Sequence, residues 1–218
     1  MDSILVLVGP SAVGKTTVMT RILELYGEKF EPIRSATTRE PRGDSFDSEY
    51  IYLSREEFLS SVSRGELLEY MEYGGNLYGT PKSEVERVIR SGKSPLLVLD
   101  MVGVESIKSK ERPFLTFAVY IYDSLDVLES RLAERYLSDK LDTESYNKRI
   151  SANVSDYMTL PCRSHLFDLT IRNEDVTDTA KGVVEAFYEA KSEKSVKRDF
   201  SRIFSRLSYE AKNFGNTK

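Results

Sequence analysis

Residues 9–16 are the segment of this sequence whose types and spacing most directly predict chemistry. They read Gly-Pro-Ser-Ala-Val-Gly-Lys-Thr and match the pattern G-x-x-x-x-G-K-[ST], in which backbone N–H groups cradle the α- and β-phosphates of a nucleotide. In that pattern the lysine, here Lys15, reaches the β- and γ-phosphates, and the hydroxyl of Thr16 holds Mg²⁺. We therefore predict a nucleotide site at this segment.

The flanking residues place the segment between a strand and a helix. Ile4–Val8 form an unbroken apolar run, as expected of a parallel strand that is buried on both faces. After the segment, Val18, Ile22 and Leu25 recur at helical spacing. The unpaired N–H groups and the partial positive charge of the helix N-terminus would then face the phosphates.

The composition is that of an ordinary globular protein: 218 residues, of which 40% are hydrophobic and 30% charged. This length allows one or two domains. No apolar run approaches the ~20 residues that span a bilayer, and the opening run is shorter than the ~7 to 15 apolar residues of a signal peptide. The single cysteine, Cys162, cannot form an intramolecular disulfide. We expect a cytoplasmic protein without a transmembrane segment.

Short apolar runs alternate with helical patterns along the chain, which predicts an α/β fold with a parallel sheet flanked by helices. After the first strand and helix, the predicted strands of this sheet are Phe30–Arg34, Pro95–Asp100, Phe114–Tyr122 and Leu166–Ile171. The predicted helices are one that starts at Pro81 and ends before Gly92, and Ser124–Leu137, Thr143–Met158 and Thr177–Ala190. Asp100 would lie at the carboxyl end of its strand, the edge of a parallel sheet where ligands bind.

Residues 35–80 predict a small mixed unit inserted between the first helix and the next large strand. Ser35–Gly43 are polar and interrupted by proline, which predicts a loop, and Arg39 and Arg42 in this loop are available to bind an anion. Tyr50–Leu53 and Leu67–Tyr73 are predicted strands, and between them a helix begins at a capping box of Ser54 and Glu57.

Residues 191–218 differ in charge from the rest of the chain. They carry eight Lys and Arg against three Asp and Glu, a net charge of +5, which leaves −9 on residues 1–190. One helical stripe of apolar residues runs through them: Val196, Phe200, Ile203, Phe204, Leu207, Ala211 and Phe214. We expect a basic amphipathic helix that packs on its own core or on a second subunit. Such a helix also permits attachment to acidic lipid or nucleic acid, although we expect no nucleic-acid partner.

Taken in order, these segments resemble guanylate kinase from about residue 3 to residue 190. A phosphate loop alone identifies only a superfamily; three further matches follow it, and the first two of these point to this family. The three are Ser35-Ala36-Thr37-Thr38-Arg39-Glu40-Pro41-Arg42, then Glu69 before a glycine-rich turn, then Tyr78-Gly79-Thr80.

The resemblance implies a kinase that converts ATP and GMP to ADP and GDP, with Mg²⁺ accompanying ATP. It implies a P-loop core at 1–34, 81–134 and 150–190, an inserted mixed α/β GMP-binding domain at 35–80, and a helical lid at 135–149. The basic helical extension at 191–218 lies outside the resemblance.

The resemblance also assigns individual residues. Lys15, Arg39, Arg135 and Arg149 would be the catalytic cations, the last two as lid arginines that close on the ATP phosphates. ATP would be bound by the phosphate loop and its next residue: Gly9, Pro10, Ser11, Ala12, Val13, Gly14, Lys15, Thr16 and Thr17. The GMP phosphate would be bound by Arg39, Arg42, Tyr50 and Tyr78. The guanine and its surroundings would involve Ser35, Glu69, Gly79, Thr80 and Asp100.

Elementary chemistry agrees with this assignment. Guanine presents N1–H and N2–H₂ side by side, so one carboxylate such as Glu69 can accept both, whereas the unprotonated N1 of adenine would repel it. The acceptor of the reaction is an ionised phosphate, so no general base is required, and the need is for cations that offset the repulsion between two anions.

Three positions depart from the family pattern. The phosphate loop has Ala12 where the family usually has glycine. The acid-x-acid run at the end of the third strand is here Val98-Leu99-Asp100, with Val102 in place of the usual glutamine, so Asp100 is the remaining acidic group that could stand behind the water shell of Mg²⁺. The lid reads Arg135–Asp139 in place of Arg-Gly-Thr-Glu-Thr and is about three residues longer.

Two alternatives to a guanylate kinase remain open on the sequence. One is a related phosphotransferase with another phosphate acceptor, which the presence of Ser35, Glu69 and Thr80 disfavours. The other is a catalytically impaired guanylate-kinase-like interaction module that holds a protein partner in the monophosphate pocket. Such modules lose the working phosphate loop, whereas Lys15 and Thr16 are present here.

Overall fold

Strands and helices alternate as the sequence predicts. The computed structural model describes residues 2–41, 43, 50–109, 113–138, 143–192 and 199–215. The strands are β1 Ser3–Val8, β2 Phe30–Pro32, β3 Ser35–Thr37, β4 Tyr50–Tyr52, β5 Leu67–Tyr73, β6 Asn76–Pro81, β7 Ser94–Val98, β8 Leu115–Tyr122 and β9 Leu169–Arg172. The α-helices are α1 Lys15–Tyr26, α2 Arg55–Ser63, α3 Lys82–Arg90, α4 Met101–Lys108, α5 Leu125–Ser138, α6 Thr143–Arg163, α7 Val176–Lys191 and α8 Ser201–Asn213. None of these helices is long and apolar enough to cross a membrane.

A five-stranded sheet has the order β2-β7-β1-β8-β9. β2 pairs in parallel with β7, with Phe30 opposite Ser94, and β8 pairs in parallel with β9, with Val119 opposite Leu169. All six residues of β1 are buried, as expected of its uninterrupted apolar sequence. The predicted α/β fold with a parallel sheet flanked by helices is confirmed.

By its internal contacts the chain divides into two compact units. The first contains Met1–Val6 and Leu23–Thr116, and the second contains Leu7–Ile22 and Phe117–Lys218. β1 is therefore shared, and the phosphate loop and α1 up to Ile22 belong to the second unit.

In the first unit, residues 35–81 form a separate four-stranded sheet with the order β4-β3-β6-β5. β5 and β6 form an antiparallel hairpin whose turn, Gly74-Gly75, has positive φ at both residues (58° and 79°). A small apolar core of Ala36, Phe58 and Leu77 packs beneath the sheet. Helix α2 starts at the predicted capping box, in which Ser54 Oγ accepts from Glu57 N and Glu57 Oε2 accepts from Ser54 N.

Three elements of the first unit differ from the sequence-based expectation. Ser35–Thr37 are strand β3 and not loop, because they pair with β4 on one side and with β6 on the other. The hairpin continues into β6, and helix α4 follows β7; neither was predicted. α4 begins where the Asp100 carboxylate accepts a hydrogen bond from Gly103 N at 2.7 Å.

In the second unit, α6 is longer than its predicted range and continues to Arg163. Helix α8 packs along α6, and Ser208 Oγ donates to the Met158 carbonyl at 3.5 Å. Phe204 of α8 is fully buried, with its ring 5.9 Å from the ring of Tyr120 and 5.9 Å from that of Phe167. The apolar stripe of the extension thus meets the aromatic core beside β8; its first member, Val196, lies outside the described residues.

Candidate active site

The phosphate loop turns tightly between β1 and α1, and two of its glycines are required by close approach. A Cβ on Gly9 would lie 2.2 Å from the carbonyl oxygen of Ile121, at the end of β8. Gly14 has φ +96°, and a Cβ there would lie 2.6 Å from Nδ2 of Asn173. That same Nδ2 donates to the Val13 carbonyl at 2.7 Å. The loop backbone is therefore pressed against β8 and against the segment that follows β9.

Lys15 opens α1, and its ammonium group lies on the loop itself. Nζ donates to the carbonyl oxygens of Gly9 at 2.7 Å and Pro10 at 2.9 Å. These are the oxygens of neutral peptides, so the negatively charged oxygens of a bound phosphate would be stronger partners for the same cation. Thr16 and Thr17 are exposed in the first turn of the helix, where a bound nucleotide can reach them.

Helix α6 contacts the loop at Ser11. Arg149 Nη1 donates to Ser11 Oγ at 3.0 Å, and the side-chain amide of Asn153 pairs with the Ser11 backbone. Of the two predicted lid arginines, Arg149 is thus placed at the loop, while Arg135 is exposed in the last turn of α5. Residues 139–142 of the predicted lid lie outside the described residues.

Arg131 supplies a further cation at the loop. Its Nη1 is 3.5 Å from the Val13 carbonyl and its Nη2 is 3.4 Å from the Asn173 carbonyl. Asp123 follows β8 and is 2% exposed. Its carboxylate forms ion pairs with Arg131 at 3.2 Å and with Arg172 at 3.1 Å. The buried carboxylate fixes the guanidinium of Arg131 beside the phosphate loop.

The first unit carries a cavity of about 230 Å³ between the four-stranded sheet and the end of β7. Six of the nine residues that the resemblance assigns to GMP line it: Ser35, Tyr50, Glu69, Tyr78, Gly79 and Asp100. A seventh, Thr80, contacts the wall residue Glu69. Met71, Val98 and Leu99 complete the lining. The cavity is smaller than the ~300 Å³ at which drug-sized ligand pockets begin, and is suited to a compact planar group such as a nucleobase.

Glu69 is the buried charge of this cavity. Its side chain accepts a hydrogen bond from Thr80 Oγ1 at 2.6 Å, and the residue is 6% exposed. Burial, together with the negative charge of Asp100, raises the pKa of the Glu69 carboxyl, against the opposing effect of the Thr80 hydrogen bond. A carboxylate in this state gains more than an exposed one from donors brought by a ligand.

Arg39 lies among tyrosines near the same cavity. Its guanidinium stands 5.2 Å from the ring centroid of Tyr50 and 5.7 Å from that of Tyr52, and Nη2 donates to Tyr52 Oη at 3.2 Å. The ring of Tyr50 also meets Tyr78 edge to face, with the centroids 6.4 Å apart. The negative faces of such rings attract a guanidinium, so the two tyrosines help to hold Arg39 near the cavity. Arg42 lies outside the described residues.

The donors present fit a Mg²⁺ ion that is held chiefly by nucleotide and water. Mg²⁺ usually keeps several waters and takes one or two protein oxygens together with substrate phosphates. Thr16 offers an exposed hydroxyl at the phosphate loop. Among the residues that the structure describes, no cluster of three or more His, Cys, Asp or Glu could form a dedicated metal cage. The side chain of Val98 offers no oxygen, and the carboxylate of Asp100 caps the N-terminus of α4.

A phosphate loop between the first strand and first helix of a parallel α/β sheet, with a lysine and two arginines at the loop, defines a P-loop phosphotransferase. The family model of guanylate kinase matches residues 1–190. The chain belongs to the guanylate kinase family, as its sequence motifs predict.

Individual relatives agree. The chain is 40% identical over 138 residues to the guanylate kinase of Synechococcus sp., a match that covers 63% of this chain and 74% of that protein. It is 35% identical over 188 residues to guanylate kinase of Sus scrofa, covering 84% and 91%. The crystal structure of guanylate kinase from Anaplasma phagocytophilum is similar with a TM-score of 0.63 and 26% identity, over 96% of both chains.

Three residues at the phosphate loop were not predicted as site residues from the sequence: Arg131, Asn153 and Asn173. Asn153 had a detectable signal, because it precedes Tyr157 and Leu160 by four and seven residues and so falls on the buried face of α6. A polar residue on such a face needs a partner. For Asn173, which comes directly after β9, the position at a strand's carboxyl end was the only signal.

Proposed function

We propose that this protein transfers the γ-phosphoryl group of ATP to GMP, giving ADP and GDP. The observation that carries the proposal is Glu69, a carboxylate that is buried in the wall of a nucleobase-sized cavity and hydrogen-bonded by Thr80. Membership of the guanylate kinase family and the complete phosphate loop support the same reaction.

Selection of guanine follows from the hydrogen-bonding capacity of Glu69. Its two oxygens offer more acceptor positions than Thr80 occupies, and guanine brings N1–H and N2–H₂ on one edge. Adenine would place its unprotonated N1 against the same carboxylate. Sites that depend on such hydrogen bonds reject ligands lacking them by about 10⁴ or more.

Phosphoryl transfer to GMP requires cations more than a base, because the acceptor oxygen is already ionised. In the proposal, Lys15 exchanges the Gly9 and Pro10 carbonyls for phosphate oxygens, and Arg149 at Ser11 faces the same phosphates. Arg39, with Arg42, Tyr50 and Tyr78, binds the GMP phosphate. Arg135 joins from the lid.

Mg²⁺ would accompany ATP, held by the Thr16 hydroxyl, the nucleotide phosphates and water, with Asp100 at most behind the water shell. When bound, the ion supplies positive charge that offsets the charge of the phosphates. Because residue 98 is valine, Asp100 is the one acidic side chain at the end of β7. In the proposal, Lys15 and the arginines therefore provide more of the stabilisation of the phosphate charge.

The proposed functional division of the chain follows the resemblance. Residues 35–80 would form the GMP-binding insert, since they supply the four-stranded sheet and most of the cavity wall. Residues 135–149 would form the lid, and 1–34, 81–134 and 150–190 the P-loop core. We also propose that the C-terminal extension packs on the core of its own chain and not on a second subunit, because Phe204 packs on Tyr120 and Phe167.

A coupled assay of ADP production with ATP and Mg²⁺ tests the proposal, with GMP, AMP, UMP and CMP as alternative acceptors. Turnover is expected with GMP alone. Lys15→Ala should reduce turnover by about 10²-fold or more, the effect of removing one preorganised charge-stabilising group, while GMP binding measured by calorimetry is retained. Absence of turnover in folded protein that still binds GMP would favour the interaction module, and turnover with another acceptor the related phosphotransferase.

A further inference from the structure

Asn153 forms a two-point contact with the backbone of the phosphate loop. The Ser11 N–H donates to Asn153 Oδ1 at 2.7 Å, and Asn153 Nδ2 donates to the Ser11 carbonyl at 3.1 Å. Asn153 is 1% exposed, so water does not compete for either bond. One side-chain amide thus satisfies both the backbone N–H and the backbone carbonyl of Ser11, a residue 142 positions away in the sequence.

The next residue of the loop is in a conformation that its type disfavours. Ala12 has φ +64° and is the one residue other than glycine with positive φ among the residues that the structure describes. The left-handed region is unfavourable for an alanine, whereas glycine adopts it freely. Asn153 thus holds the two peptide groups on either side of Ser11, the residue that directly precedes this strained one.

We propose that Asn153 is a positioning residue that keeps the phosphate loop in its nucleotide-binding conformation against the preference of Ala12. Without the contact, the Ser11 peptide can rotate and Ala12 can relax into an ordinary region of φ and ψ. The loop N–H groups then no longer converge on the phosphates. Asn153 itself does not touch the reacting atoms; it acts through Ser11. Arg149, one turn earlier on α6, adds a contact to the Ser11 hydroxyl.

Asn153→Ala tests the first half of the proposal. Two neutral hydrogen bonds are lost, so the apparent KM for ATP and the Kd for ADP should both rise about tenfold, the ratio that 1.4 kcal/mol represents. The KM for GMP should stay within about twofold, since a general loss of structure would change both. Ser155→Ala, an exposed position on the same helix, is the matched control, with both constants expected within about twofold of the unmodified protein.

Ala12→Gly tests the second half, because glycine removes the strain that Asn153 is proposed to hold. The effect of Asn153→Ala should fall from about tenfold in the Ala12 background to about threefold or less in the Ala12→Gly background. An equal or larger loss in the glycine background would overturn the proposal, because Asn153 would then be needed for some reason other than strain at residue 12.

This inference rests on the proposed function only for the ATP kinetics. ADP binding by calorimetry reports on the loop without any turnover, so failure of the kinase assignment and failure of the positioning role give different results. If Asn153→Ala does not fold, Asn153→Ser replaces it in both backgrounds, since serine keeps a polar group but is too short to reach both Ser11 atoms. Unchanged ADP affinity in that variant would contradict the proposal.

Discussion

The two halves of the proposed active site are built on different principles. At the phosphate loop the ligand-binding groups are backbone N–H groups, and side chains such as Asn153, Asn173 and Arg131 hold that backbone in place. In the acceptor cavity the binding groups are side chains on a small sheet, with the buried carboxylate of Glu69 at their centre. The unfavourable feature of the first half is the backbone strain at Ala12, and that of the second half is the burial of the charged Glu69.

The difference follows from what each half must recognise. Phosphates look alike in every nucleotide, so a cradle of N–H groups at a helix N-terminus is sufficient and requires only shape. A base must be distinguished from others with nearly the same shape, which requires donors and acceptors at defined positions and the exclusion of water. Substitutions in the two halves should therefore affect different substrates.

The largest effect is expected for Glu69→Gln. The amide keeps the size of the side chain but replaces a charged acceptor with one that presents a donor toward guanine. Loss of two charge-assisted hydrogen bonds, at roughly 1.5–3 kcal/mol each, should lower kcat/KM for GMP by about 10² to 10⁴. The Kd for ADP should not change. An equal loss on the ADP side would mean that the two halves do not act separately.

The pH dependence of GMP binding sharpens the same prediction. Because burial raises the pKa of Glu69, the carboxylate should be lost, and GMP affinity should fall, at a higher pH than an ordinary glutamate would give. The stability of the unliganded protein depends on pH in the opposite direction. Because the pKa of Glu69 is raised on folding, the folded state is favoured when Glu69 is protonated, and it loses stability as pH rises through that pKa. Glu69→Gln should therefore increase the free energy of unfolding at neutral pH and remove the part of the pH dependence of GMP affinity that comes from protonation of Glu69.

The sequence predicted the two halves unequally. The phosphate loop is a local feature, in which consecutive residues supply the strand, the turn and the helix, so its pattern was sufficient to predict it. Ser35–Thr37 were predicted to be a loop because three small or polar residues have no local strand signal; they become β3 through pairing with β4 and β6. Likewise, the nearness of Glu69 to Asp100 depends on α4 packing against β5, and α4 was not predicted.

A charge network supports the sheet of the acceptor half. Arg34, which precedes β3, donates to both oxygens of Glu84 at 2.8 and 3.0 Å, and Arg87 donates to both at 3.1 and 3.2 Å. Glu84 lies in the first turn of α3, after β6, and its side chain is 6% exposed. The network therefore joins the two places where the chain enters and leaves the small sheet.

Glu84→Gln should lower the free energy of unfolding by a smaller but measurable amount. The hydrogen bonds from Arg34 and then Arg87 lower the pKa of Glu84 to about 2. The stability it contributes is present above the unfolded-state pKa of ~4.3 and is lost as pH falls toward 2. Since both arginine side chains are nearly half exposed (49% and 43%), we expect a loss of about 1–2 kcal/mol in the free energy of unfolding at pH 7. The variant should also lose less stability than the unmodified protein between pH 5 and about 2.

Urea unfolding followed over this pH range measures both quantities. Glu66→Gln is the matched control, because Glu66 also pairs with an arginine, Arg64 at 2.7 Å, but in solvent (side chains 50% and 56% exposed). No resolvable change is expected there. If the two variants were equally stable, the network at Glu84 would not support the acceptor half.

The smallest effect tests the aromatic core of the phosphate-loop unit. Tyr120 of β8 is fully buried between Phe167 and Phe204, and its hydroxyl has no hydrogen-bond partner within the described part of the chain. Tyr157 of α6 is equally buried, but its hydroxyl donates to the Asp123 carbonyl at 2.6 Å and accepts from Asp123 N at 3.3 Å. The same substitution at the two positions therefore removes an unsatisfied hydroxyl in one case and a satisfied one in the other.

Tyr120→Phe should raise the free energy of unfolding by up to about 1 kcal/mol, because burial of a polar group without a partner is unfavourable. Tyr157→Phe should lower it by about 1–2 kcal/mol, since the Asp123 N–H and carbonyl lose a buried partner. Thermal and urea unfolding of the two variants measure the difference, and kcat should change little in Tyr120→Phe. Destabilisation of equal size in both would show that the Tyr120 hydroxyl is bound in solution, and that the aromatic packing of α8 beside β8 differs from the arrangement described.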